Sequence, residues 1–148
     1  MTSDTMVLEI SQNGMDRLDA LWARGREFLG CRYAILGGAM TWVSEHRLVA
    51  AISNAGGFGV LATGGMSPEQ LDAKIAATQD ATDKPFGVNI ILMHPQLAAL
   101  TDVCTARAVG HVVLAGGLPK RDHIARIKDG GAKAIGFAPA LSIAKRLV

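Results

Sequence analysis

The residues of this chain best suited to chemistry sit in short glycine-rich segments and around one amide. Gly37, Gly38, Ala39 and Met40 end an apolar run that begins at Tyr33. Small residues where a strand gives way to a loop let the backbone approach a flat or anionic ligand closely. Met40 and Trp42 would then wall an apolar aromatic ring. The same glycines serve equally well to relieve packing, with Met40 filling a core gap. Asn89 lies inside the apolar run Phe86 to Leu92. A buried carboxamide is costly unless its donors and acceptor find partners. A ligand at the strand end is one such partner, and neighbouring backbone is the other.

His94, just past that run, is the candidate general base. Since Pro95 follows it, a capping or loop role fits as well. Thr63, Gly64 and Gly65, and again Ala115, Gly116 and Gly117, follow strands and precede helices. Exposed amides there can face an anion or a ring edge, and a plain loop is the simpler alternative. Asn54 to Gly59 instead joins a helix to a strand, so it reads as a helix C-cap with a tight turn, not as a phosphate loop. His111 and His123 read as structural. No Ser/His/Asp or Cys/His constellation and no carboxylate pair assembles from these loops, so catalysis would have to come from a cofactor. Cys31 and Cys104 stand alone, without CxxC or Cys/His spacing, and imply reduced, inert thiols and no metal site.

These groups need elements to hold them. The spacing predicts a short helix over Asp16 to Phe28, interrupted or ended near Gly25, that covers one end of the domain. Strands follow at Tyr33–Ala39, Phe58–Ala62, Pro85–Leu92, His111–Ala115 and Lys133–Phe137. Helices are expected at Ser44–Asn54 with Ser44 as cap, from Ser67, from near Pro95, at Arg121–Asp129 and at Ala140–Val148. Ser67, Pro68 and Gln70 form the best-marked start, a capping box with proline in the first turn. The strands are continuous apolar runs, so both faces should be covered, as in a parallel α/β sheet. Two folds accommodate the repeat: an open five-stranded sheet of flavodoxin-like size, or part of a (β/α)8 barrel.

Fifteen Lys plus Arg against thirteen Asp plus Glu leave a charge of +2 on 148 residues, with the charges scattered. Nucleic acid is therefore not indicated. An apolar share of 49% supports a packed core. No run approaches the roughly 20 apolar residues of a membrane span, and Met1 to Thr5 do not read as a leader, so the chain is expected in the cytoplasm.

The segments Tyr33 to Val43, Ala51 to Val60 and Thr82 to Asn89 resemble, in order and spacing, the successive N-terminal signatures of the nitronate monooxygenase family. Ala115 to Pro119 and Ala138 to Lys145 are closer in style to its enoyl-acyl-carrier-protein reductase II branch. The resemblance covers Leu29 to Val148. It implies that residues 29–148 are about five βα units, the N-terminal part of an FMN-dependent TIM barrel, with 1–28 as a helical extension. It further implies that Gly38, Ala39 and Met40 border the flavin isoalloxazine, that Asn89 hydrogen-bonds to it, and that the catalytic histidine belongs beyond Val148. None of His94, His111 or His123 takes that role. Ala34 and Gly37 depart from the family's usual Pro and Gln. The implied activity is oxidation of an alkyl nitronate by O2. NAD(P)H-dependent reduction of an enoyl thioester is the alternative, and a non-catalytic half-barrel pairing with itself, a homo-oligomer, is a third.

Overall fold

Each apolar run pairs with the next in the chain, and this single fact decides between the two folds. A computed structural model describes residues 3–147, with side chains over 14–145. Helix α1 (Ser3–Leu29) leads into strand β1 (Leu36–Gly37), helix α2 (His46–Asn54) and strand β2 (Phe58–Ala62). Then come α3 (Pro68–Ala81), β3 (Phe86–Ile91), α4 (Leu97–Ala106), β4 (His111–Ala115), α5 (Arg121–Asp129), β5 (Lys133–Gly136) and α6 (Leu141–Leu147). The five strands are all parallel and lie in the order β1-β2-β3-β4-β5. A flavodoxin-like sheet would place β2 outside β1; the sequential order is that of a barrel wall.

Register sorts the side chains into two faces. Asn89 pairs with Ala62 on one side and Val113 on the other, and Val113 pairs with Ile135. By strand alternation these residues share the concave face with Phe58 and Val60. Leu61, Val88, Ile90, Val112 and Leu114 point outward, into a core completed by Val49, Leu71, Ile75, Leu100, Cys104 and Ile127 of the helices. Fully burying one such aliphatic side chain stabilises by about 1.5–3 kcal/mol, so the helix-to-sheet layer dominates cohesion. At Gly59 an added Cβ would run into the Val49 carbonyl. The missing side chain therefore sets how closely α2 lies on β2.

The foot of the wall is closed by α1. The Phe28 carbonyl meets His111 Nε2 at 2.8 Å and also accepts from Lys133 Nζ. The His111 ring stands edge-on to Phe28 and Phe58, at 5.4 and 4.9 Å between centroids. Leu29 packs with Phe58, Val60 and Val113.

Several boundaries differ from the sequence reading. Helix α1 runs through Gly25 without a break, because a Cβ there would lie 2.8 Å from that of Ala34: the glycine is a packing contact, not a terminator. Strand β1 is short: its pairing stops at Gly37, and Gly38 at φ +127° turns the chain out of the sheet. Helix α2 is capped by Glu45, whose Oε1 accepts from Arg47 N at 3.2 Å, instead of by Ser44, which is buried and bonds to the preceding loop. The Ser67–Gln70 capping box is present in both directions. Among the described residues no helix is long and apolar enough to cross a membrane.

Candidate functional site

The loops that leave the C-terminal ends of the strands form the mouth of the barrel wall, and the predicted residues sit there. Gly38 adopts φ +127°, and a Cβ on it would penetrate the Val60 carbonyl, so only glycine fits the path by which the chain leaves β1. Ala39 is half-buried against the cluster of Phe58, Val60 and Val113. The Met40 side chain stands 54% exposed. Its backbone is held by Ser44: Met40 N donates to Ser44 Oγ at 2.9 Å, and Ser44 N donates back to Met40 O at 2.8 Å. Ser44 O in turn accepts from Ala62 N, which ties this loop to the end of β2.

Asn89 projects to the same end from two strands away. By inter-strand spacing, about 10 Å separates β3 from β1. Thr63 Oγ1 donates to the Asn89 backbone carbonyl at 2.7 Å, leaving the carboxamide free of that duty. Only 9% of the residue is exposed, yet among the described residues its side chain has no hydrogen-bond partner. An amide so placed lacks partners that a bound group would supply. Together with the close approach enforced at Gly38, the cradle fits a flat ring carrying hydrogen-bonding edges.

His94 does not join them. Its Nδ1 accepts from Gln96 N at 3.1 Å ahead of α4, which is the loop role open to it in the sequence. His111 lies at the opposite end of the wall, where burial pushes its imidazole pKa down and the Lys133 charge adds to that, against the bond to the Phe28 carbonyl. His123 is half-buried in the first turn of α5. Cys104 is buried and its thiol is pushed up to about 12 by desolvation. Cys31 is raised in the same direction. No group of His, Cys, Asp and Glu among the described residues is arranged to hold a metal.

Sequence reasoning missed a titratable group beside the mouth. His46 Nδ1 lies 2.5 Å from Glu45 Oε2 and 3.4 Å from Lys74 Nζ, and Lys74 is also 3.8 Å from Glu45. The signal was present in adjacent Glu45 and His46 at the start of the first barrel helix. Lys74 joins them only because α3 packs on α2.

The nitronate monooxygenase family model matches residues 24–147, nearly all of the chain. The chain belongs to the nitronate monooxygenase family. Among solved structures it is similar to FabK from Thermotoga maritima, at 37% identity and a TM-score of 0.80 over 84% of this chain and 40% of that one. Nitroalkane oxidase from Streptomyces ansochromogenes superposes with a TM-score of 0.68 at 25% identity, over 76% of this chain and 42% of that one. Among curated relatives, the (3aS,4S,5R,7aS)-5-hydroxy-7a-methyl-1-oxo-octahydro-1H-indene-4-carboxyl-CoA dehydrogenase of Mycobacterium tuberculosis is 36% identical over 119 residues, 80% of this chain and 32% of the relative. A nitronate monooxygenase of Pseudomonas aeruginosa is 40% identical over 72 residues, 49% of this chain and 20% of the relative. The chain thus spans about a third of the dehydrogenase. This nitronate monooxygenase family member is an α/β wall of a TIM-barrel type, and the family is one of oxidoreductases.

Proposed function

We propose that the chain forms part of an FMN-dependent oxidoreductase and that Gly38, Ala39, Met40 and Asn89 cradle the flavin. Asn89, a residue 9% exposed whose side chain makes no hydrogen bond among the described residues, carries this reading. When bound, the flavin supplies the electron transfer, and the protein supplies binding and orientation. Asn89 offers an N–H and a C=O to ring-edge atoms. Gly38 lets the backbone come close, and Met40 gives an apolar wall. The test is the visible absorption of the purified chain after FMN is added and excess removed by gel filtration. Retained flavin bands that disappear in Asn89→Leu support the reading, and a colourless wild-type chain overturns it for these residues.

Oxidation of an alkyl nitronate by O2 is the activity that the family name carries. Redox chemistry on an acyl thioester, with NAD(P)H as donor for the enoyl reductase case, is the second reading. It is favoured by a specific observation: likeness to the carboxyl-CoA dehydrogenase extends over 80% of the chain, against 49% for the nitronate monooxygenase. Self-association is part of the proposal too. Strands β1 and β5 each have one neighbour, and Ile35, Leu36 and Phe137 beside them are exposed. The mass of the species eluting from the same column reads it directly.

A further inference from the structure

The helix layer holds a cleft that the flavin reading does not use. About 580 Å3 of space opens between the β1–α2 loop and α3, within the range of sites for whole small molecules. Gln70, Ala73, Lys74 and Ala77 line it from α3, at the i, i+3, i+4 and i+7 spacing that puts them on one face of the helix. Ala73 and Ala77 keep that face low, and Met66 adds an adaptable thioether. Trp42 lines the cleft from the loop, 89% exposed and at φ +70°. A bulky residue in the left-handed region is uncommon, and such strain concentrates where a side chain is put to use. An indole left in water beside an apolar floor is a stacking surface for a flat ring.

The polar groups of the cleft are donors short of acceptors. Glu45 Oε2 lies 2.5 Å from His46 Nδ1. Two lone pairs do not meet at that distance, so a proton lies between them and the Nδ1 lone pair is taken. Lys74 Nζ, 3.4 Å from the same nitrogen, therefore finds no acceptor in it. The 3.8 Å from Lys74 Nζ to Glu45 Oε2 is too long for a hydrogen bond. The other Glu45 oxygen accepts from Arg47 N at the cap of α2. Among the described residues the Lys74 ammonium thus has a charge nearby but no hydrogen-bond acceptor. One turn earlier, Gln70 gives its Oε1 to Ser67 N at 2.9 Å, which leaves only its NH2 to offer. Two donors on one helix face, next to an apolar floor and an exposed indole, match a carboxylate carried on a flat hydrocarbon ring. Glu45 keeps a negative charge close to Lys74, which disfavours a dianion such as a phosphate monoester.

We propose that this cleft binds an aromatic monocarboxylate, with its ring between Trp42 and the Ala73–Ala77 face and its carboxylate on Lys74 and Gln70. The site lies in the helix layer and does not rest on the flavin reading.

The test is isothermal titration calorimetry of the 148-residue chain with 2-naphthylacetate, its neutral amide and 2-naphthylethylamine. The acid should bind roughly tenfold tighter than the amide, the worth of one charge-assisted hydrogen bond, and the amine should bind most weakly. This comparison needs no variant. Equal affinities for acid and amide, an amine that binds tighter than the acid, or no heat of binding at millimolar probe each overturn the proposal. Lys74→Met keeps the apolar stem and should bring acid and amide level, and a preference that survives it places the carboxylate elsewhere and sinks the assignment. Trp42→Ala should weaken acid and amide by a similar factor, and unchanged affinities would remove the ring from the indole. Asn89→Leu should leave the affinity for the acid unchanged. A loss there would put the probe in the flavin cradle and end the proposal, whereas failure of flavin binding alone leaves the cleft standing.

Discussion

Thr63 Oγ1 donates a 2.7 Å hydrogen bond to the backbone carbonyl of Asn89, reaching from the end of β2 to β3. The hydroxyl is fully buried, so the bond works in a low-dielectric setting and fixes the strand that presents the carboxamide. Thr63→Val keeps the shape and removes the donor. The expected cost is about 1 kcal/mol of stability, with FMN binding weakened by a larger factor than that of a control substitution on α5. Denaturant unfolding and flavin titration measure the two separately.

Asn89→Leu should divide stability from binding. The amide makes no hydrogen bond to the protein among the described residues, so an apolar side chain of similar size should leave the thermal midpoint nearly unchanged. Flavin retention should fall by a factor of about ten or more, from the loss of one or two hydrogen bonds worth about 1–1.5 kcal/mol each. A lowered midpoint with flavin affinity intact would reverse the assigned role.

Gly38→Ala is expected to be among the most damaging single-methyl additions in the chain. The residue sits at φ +127°, and the new Cβ would meet the Val60 carbonyl. Strain and overpacking together should cost about 3 kcal/mol. Gly65→Ala, at φ +77° with nothing within 4 Å, carries the conformational cost alone and should be milder. Paired chemical-denaturation curves test the ranking.

His111 makes stability depend on pH. Its folded pKa lies below the ordinary 6.5, first through burial. The unfolded chain therefore takes up the proton at higher pH than the fold does. The stability contributed by the neutral ring is complete above about pH 6.5 and is lost as pH falls from there through the folded value. Glu69, Asp72 and Asp83, whose pKa values are lowered from 4.5 and 3.8, give way only in more acidic solution. The early part of an acid titration should thus flatten in His111→Leu, with a generally lower midpoint from the lost bond to the Phe28 carbonyl.

Alkylation should separate the two thiols. Cys104, buried and with its pKa near 12, stays protected at pH 8, and Cys31, half-buried and raised less, reacts first. Mass spectrometry after brief iodoacetamide treatment should find one adduct, on Cys31. An adduct on Cys104 at the same rate would mean that α4 opens readily.

What the sequence disclosed followed the range of the interactions involved. The Ser67–Gln70 capping box was legible because both halves lie within one turn. Strand β4 and helix α5 were placed to the residue, since each has sharp apolar and polar boundaries. Ser44 was expected to cap α2, but the Met40 amide claims its hydroxyl and Glu45 caps instead. Gly25 looked like a helix end and is a contact with Ala34. Barrel or open sheet could not be settled from periodicity, because strand order is a tertiary property; the family motifs and then the pairing decided it. The Glu45–His46 pair was legible as neighbours in the chain, but Lys74, which completes the cluster, lies 28 residues from His46.

The Phe28 carbonyl, shared by His111 and Lys133, joins positions 83 and 105 residues apart in the chain. Contacts so distant carry a large loop-closure entropy and form late, after neighbouring βα units have paired. Substitutions at Phe28 or Lys133 should therefore leave the refolding rate nearly unchanged and appear almost wholly as faster unfolding. The foot of the barrel wall would then govern how long the folded chain persists more than how quickly it is reached.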